Sequence, residues 1–222
     1  MTPAERDRLV REAVAKLYAV KVRTTPNLRI VRREISAKLK GAPTQDVKAV
    51  SLALVTAGWR WIGYEVVNVH RGALDALTAK EVEAFSQGMA GWVDVDTFGI
   101  LISGPAWLRG RIGDHQVMRW ARSPDLWRRR AALVSTVGLN GKTRGGIGDT
   151  KRTMLICKIL VADHEDMVVK AMSWALRSLT PWDPKAVKAF LAEHEAALAA
   201  RVKREVRNKL KTGLKNPKAP AR

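Results

Sequence analysis

Three stretches of this chain set an aromatic residue beside a charged one at helical spacing. In Gly91-Trp92-Val93-Asp94-Val95-Asp96, Trp92 and Asp96 stand one turn apart and share a helix face. Asp94 points about 200° away from Trp92 at ~100° per residue. Trp127 and Arg130 are three apart, and Lys170, Trp174 and Arg177 are four and three apart. A single ionised carboxylate can stabilise a developing positive charge. Tryptophan faces suit a cationic or electron-poor group, and arginines and lysines grip phosphates. Each pair also reads as a core tryptophan with a charge snorkelling at its edge, so the pattern alone names no reaction.

Other chemistries lack their residues. His70, His115, His164 and His194 are scattered, and no second histidine follows His164-Glu165 or His194-Glu195 at the spacing of a zinc helix. With one cysteine, no metal site is expected. Cys157 lies in the apolar run Met154–Leu160 and reads as a buried structural thiol. Gly141-Lys142-Thr143 resembles the end of a phosphate loop, but Thr136 stands where the required glycine would be. The whole stretch Gly138–Thr150 reads as a flexible basic loop. No Ser/His/Asp signature is present, and no cofactor is implied.

These residues need helices to hold them, and the chain supplies start signals for many. Thr2-Pro3-Ala4-Glu5 and Thr78-Ala79-Lys80-Glu81 have the form of capping boxes. Thr25-Pro26, Pro43-Thr44, Asp125-Leu126 and Asp183-Pro184 open further helices. Leu9, Val10, Ala13, Val14 and Leu17 recur at helical spacing, as do Leu28, Val31, Ile35 and Leu39. Trp59–His70 is rich in β-branched residues but has no partner strand in view, so it too is assigned to helix. Segments of this kind joined by short turns imply paired antiparallel helices. The expected fold is all-α, a HEAT-like α-solenoid of stacked antiparallel helix pairs over residues 1–210. Residues 211–222 form a basic tail expected to be disordered.

Charge narrows the partner. The 222 residues carry 40 Lys and Arg against 21 Asp and Glu, a net +19. Residues 201–222 hold nine of the cations and one glutamate, yet the rest still carries +11. A basic body favours a polyanion, nucleic acid above all. The hydrophobic fraction of 46% is that of a folded chain. The longest apolar runs are too short to span a bilayer, and the first residues do not form a secretory signal. A cytoplasmic protein follows, nucleoid-associated when bound to DNA.

Taken in order, Trp92-Val93-Asp94-Val95-Asp96, Leu126-Trp127-Arg128-Arg129-Arg130 and Lys170-Ala171-Met172-Ser173-Trp174-Ala175-Leu176-Arg177 resemble the AlkD-like DNA alkylation repair proteins. Those are DNA glycosylases built from HEAT-like repeats. Their pattern is a Trp-x-x-x-Asp helix, a Trp-x-x-Arg helix about 35 residues on, and then a Lys-Ala-x-x-Trp-x-x-Arg helix, as here. The likeness covers roughly residues 25–210. The family often has two adjacent aromatics where this chain has Gly91-Trp92, and Tyr18 is the candidate for an aromatic contributed by the first helices.

The resemblance implies that Asp96 is the catalytic carboxylate, with Trp92 and Trp174 flanking the lesion nucleotide. Arg130, Arg177 and Lys170 would bind DNA, and Arg130 and Arg177 would help keep Asp96 ionised. The implied reaction is hydrolysis of the N-glycosidic bond of N3- or N7-alkylated purines in duplex DNA by a monomeric, monofunctional enzyme. Such a base is already cationic and leaves without a general acid, so one aspartate suffices. The competing expectation is a noncatalytic DNA-binding scaffold recognising bent or branched DNA. A protein-binding helical repeat is a third.

Overall fold

The computed structural model describes residues 1–217. All regular elements among the described residues are helical, as the sequence implies. The chain divides into two compact units, Met1–Gly88 and Met89–Arg222.

The first unit holds α1 (Pro3–Ala19), α2 (Thr25–Lys38), α3 (Thr44–Thr56), α4 (Arg60–Val69), α5 (Arg71–Asp75) and α6 (Ala79–Phe85). Both expected capping boxes form. Thr2 accepts from Glu5 N–H while the Glu5 carboxylate accepts from Thr2 N–H, and Thr78 and Glu81 do the same. The cap of α2 is Thr24, one residue before the expected start, because its hydroxyl reaches Asn27 N–H and leaves Pro26 in the first turn. Successive helices pack together, α1 on α2 and α3 on α4, around Leu17, Val31, Ile35, Leu54 and Ile62. The β-branched run of α4 is helical because Val66 and Val67 gain complete burial there. Burial of that size outweighs a helix-propensity deficit of a few tenths of a kcal/mol per residue.

The second unit holds α7 (Trp92–Phe98), a π turn (Gly99–Ser103), α8 (Gly104–Leu108), α9 (Asp114–Ala121) and α10 (Leu126–Asn140). It continues with a 3₁₀ turn (Lys142–Arg144), α11 (Thr150–Ile159), α12 (Asp166–Leu179), α13 (Pro184–Glu193) and α14 (Ala200–Thr212). The helix α7, the π turn and α8 run on without a break, and in the π turn Gly104 N–H reaches back five residues to the Gly99 carbonyl.

Helix α10 is the spine of this unit. It is buried from Arg130 to Asn140 and packs against α7, the π turn, α8, α9, α11 and α12. The contact with α8 is unusually close. A Cβ on Gly104 would meet the Gly138 Cα at 2.8 Å, so both positions must lack a side chain. Beside them the hydroxyls of Ser103 and Ser135 share a hydrogen bond of 2.6 Å.

This corrects the expected loop. Gly138, Leu139 and Asn140 belong to α10 and are buried, and the connection to α11 is 141–149. Gly138 looks like a helix breaker in sequence but serves as a helix contact. The connection is tied to Trp182. The indole N–H of Trp182 donates to the Asn140 carbonyl at 2.8 Å, and Lys142 Nζ lies 4.9 Å from the ring centroid. Gly148, with φ +75°, packs so tightly on that ring that a Cβ would be 2.6 Å from it.

Lys211 and Thr212, assigned to the tail by sequence, are the last residues of α14. Gly213 ends the helix with φ +74°. Asn208 then donates to the Lys215 carbonyl at 3.1 Å, which folds the following residues back along the helix. The remainder of the expected tail, residues 218–222, lies outside the described residues. Among those described, no helix is long and apolar enough to cross a membrane. Cys157 is buried in α11, and burial pushes its thiol well above the usual range.

Candidate active site

Asp96 sits near the end of α7, one turn after Trp92. Its carboxylate is paired side-on with Arg130 of α10. The Arg130 Nε donates to Oδ1 at 2.8 Å and Nη2 donates to Oδ2 at 2.8 Å. This two-pronged geometry is the strong form of a carboxylate–guanidinium contact. The third nitrogen, Nη1, donates to the Met167 carbonyl in the first turn of α12. One guanidinium thereby links α7, α10 and α12. Arg130 stands on the second turn of a helix whose start is fixed by Asp125, which accepts from Trp127 N–H at 2.9 Å.

The pair is largely withdrawn from solvent, with 14% of the Asp96 side chain and 6% of the Arg130 side chain exposed. Burial pushes the Asp96 carboxyl above its ordinary value, and the bonded charge of Arg130 only partly offsets it. The sequence reading had Arg130 and Arg177 holding Asp96 ionised. Arg130 acts in that direction, but burial is the larger effect. Arg177 is engaged elsewhere: its Nε donates to Ser173 Oγ at 3.1 Å and lies 4.0 Å from Glu205.

Arg130 also lines an open cavity of about 570 Å³, and around it the structure gathers three more of the residues singled out in sequence, Lys170, Trp174 and Arg177. All three lie on α12 at the expected spacing of four and three. Trp92 is not among the lining residues. It begins α7 with 56% of its surface exposed. The structure therefore joins Asp96 to Arg130 directly and Arg130 to the α12 residues through the cavity, while Trp92 stands out from the first turn of the aspartate's own helix.

The remaining lining residues are Arg201, Arg204, Glu205, Lys215 and Asn216. Sequence reasoning missed them because it treated residues 201–222 as surplus charge. The one available signal was Glu205, the single acid among nine cations. It is buried, and Ser173 Oγ donates to it at 2.6 Å. Lys215 comes within 3.5 Å of the same carboxylate. Lys170 is paired with Asp166 at 2.6 Å, and Asp166 also takes Arg201 at 2.8 Å. Among the described residues no group of three or more His, Cys, Asp and Glu side chains could hold a metal ion.

A second Trp-x-x-x-carboxylate face occurs on α4, at Trp61 and Glu65. There Arg29 Nε lies 2.9 Å from Glu65 Oε1, Arg32 Nε lies 3.3 Å from Oε2, and the Arg29 guanidinium sits 6.0 Å from the Trp61 ring centroid. Spacing alone does not separate this face from the one on α7.

Comparison with known proteins gives one finding. A family model described as DNA alkylation repair enzyme matches residues 15–210, which include every residue of the Asp96–Arg130–α12 constellation. Searches of curated proteins and of solved structures returned no significant match.

Proposed function

The chain belongs to the DNA alkylation repair enzyme family, and from that premise we propose that it is a DNA glycosylase releasing cationic N3- or N7-alkylated purines from duplex DNA. The observation that carries this reading is the largely withdrawn Asp96 carboxylate, held by Arg130, which itself lines a cationic, tryptophan-bearing cavity.

The chemistry follows from the lesion. A purine alkylated at N3 or N7 carries a positive charge, and breaking the C1′–N bond returns the electron pair to the base as a neutral leaving group. The strain on the reaction lies in the sugar, which becomes oxocarbenium-like. Asp96 supplies a fixed negative charge to that sugar. The bidentate guanidinium takes one lone pair on each oxygen and leaves the others to face the sugar or to orient the attacking water. Water adds its oxygen to C1′, and its proton passes to solvent. Trp92 and Trp174 offer ring faces to the lesion nucleotide, and Arg177 and Lys170 hold phosphates of the same strand. Arg130, expected from sequence to bind DNA, has all three nitrogens committed to Asp96 and the Met167 carbonyl and orients the carboxylate instead. The enzyme works as a monomer in the cytoplasm, at the nucleoid.

One observation favours a second reading. Both oxygens of Asp96 are already bonded to Arg130, as in a purely structural ion pair. On that reading the chain is a noncatalytic scaffold for bent or branched DNA. Incubation with methylated duplex DNA, followed by chromatography of the free bases, decides between them. Release of methylpurine that disappears in Asp96→Asn supports the glycosylase. Tight DNA binding without release by the unaltered protein supports the scaffold.

A further inference from the structure

We propose that α14 and the residues just after it, Lys215 and Asn216, build a phosphate subsite beside Arg130, the partner of Asp96, which binds phosphodiesters of the DNA strand; this rests on the chain acting on DNA as argued above. Six cations line the cavity: Arg130, Lys170, Arg177, Arg201, Arg204 and Lys215. Among the described residues three carboxylates meet them. Asp96 is taken by Arg130, Asp166 is shared by Lys170 and Arg201, and Glu205 is shared by Arg177 and Lys215. Three positive charges are left without a counter-charge around one opening, and Arg204 has no carboxylate partner among the described residues.

The Glu205 contacts show how the subsite is held. Its carboxylate lies 4.0 Å from Arg177 and 3.5 Å from Lys215, distances of charge attraction rather than close hydrogen bonding. Its short bond is to Ser173. Glu205 is therefore a buried counter-charge that draws two cations to the cavity wall and, with Arg177 Nε on Ser173, leaves the Arg177 Nη groups and the Lys215 ammonium to a second anion. A phosphate oxygen, which accepts several charge-assisted hydrogen bonds at once, matches this donor set. Trp174 and Asn216 on the same wall suit a sugar edge, which favours a nucleic-acid strand over a free anion.

The test uses the full chain and a duplex with a stable abasic-site analogue, so that binding is read without base release. Arg204→Ala/Lys215→Ala is compared with the unaltered protein and with Lys188→Ala, an exposed charge on α13. The double variant is expected to lower the slope of log K against log salt by about 1.8, or ~0.9 per lost phosphate contact. Lys188→Ala leaves the slope unchanged. Methylphosphonates then neutralise single phosphates on either side of the abasic analogue. At the contacted phosphate the change costs the unaltered protein about tenfold in affinity and costs the double variant nothing more. Equal penalties in both proteins overturn the proposal, as does an effect of Lys188→Ala equal to that of the double variant. Displacement of DNA by millimolar inorganic phosphate at constant ionic strength, from the unaltered protein and not from the double variant, is competition for this subsite and supports it; equal displacement from both overturns it. A protein that passes these binding tests and releases no base keeps the subsite and loses the glycosylase reading.

Discussion

Trp61 and Glu65 on α4 repeat the spacing of Trp92 and Asp96 on α7, and the two carboxylates are about equally withdrawn, 12% and 14% exposed. Their surroundings differ. Glu65 takes two arginines, and one of them covers the Trp61 ring. Asp96 takes a single arginine, Trp92 projects into solvent, and that arginine borders a cationic cavity. An anion between two guanidiniums is over-neutralised and has little field left to offer a substrate. An anion with one guanidinium on its inner side still presents a negative face outward. The number of arginines and the freedom of the tryptophan, rather than the depth of the acid, distinguish the face on α7, where the proposed reaction is placed, from the face on α4.

The sharpest way to break this comparison is to neutralise both acids. Asp96→Asn is expected to lower single-turnover base release by about 10²–10³-fold, the effect of losing one preorganised charge at the transition state. In the unaltered protein the same acid sets the acid limb of the pH–rate profile. Because burial raises its pKa above that of an ordinary aspartate, the rate is expected to fall as pH drops through that raised value and to hold above it. A limb at the ordinary value would mean that Asp96 is solvated in the complex. Gly138→Ala tests the frame that brings α7 and α10 together. The added Cβ would lie 2.9 Å from the Gly104 Cα. Such overpacking costs about 1–3 kcal/mol, seen as a Tm lower by several degrees. Trp92→Ala removes the exposed ring and is expected to slow base release roughly two- to thirtyfold, a cation–π loss of about 0.5–2 kcal/mol. Glu65→Gln is the smallest. Base release should stay within twofold, and stability should shift by less than about 1 kcal/mol, since its main partner Arg29 is half exposed. A Glu65→Gln effect on rate as large as that of Asp96→Asn would erase the distinction between the two faces.

Much of the frame was legible because it rests on local rules. The capping threonines and aspartates state where helices begin, and the apolar periodicity of Leu9 to Leu17 states which face goes inward. Lys170, Trp174 and Arg177 meet at one cavity because a helix places residues four and three apart on one side. The pairing of Asp96 with Arg130 is different in kind. The two are 34 residues apart, and only the likeness to a known family connected them. Gly138 was misread because a glycine that ends a helix and a glycine that admits a neighbouring backbone look alike in sequence. The residues of α14 were passed over because clustered positive charge reads as solvated surface, and Glu205 becomes informative only once Ser173 is seen beside it.

The π turn between α7 and α8 has a consequence for how the chain tolerates change in length. The residues Gly99–Ser103 make the turn that an α-helix would make with one residue fewer, so the extra residue is taken up within the turn and α7 and α8 keep nearly the phase of one helix. Loss of one residue there would let the turn relax to α geometry and would leave Trp92 and Asp96 facing nearly as they do now. Every helix would still be present, and the carboxylate would still point at Arg130. The turn works as slack in the helix, so a one-residue deletion here costs the site less than one inside α7, where each residue is a rotation of about 100°.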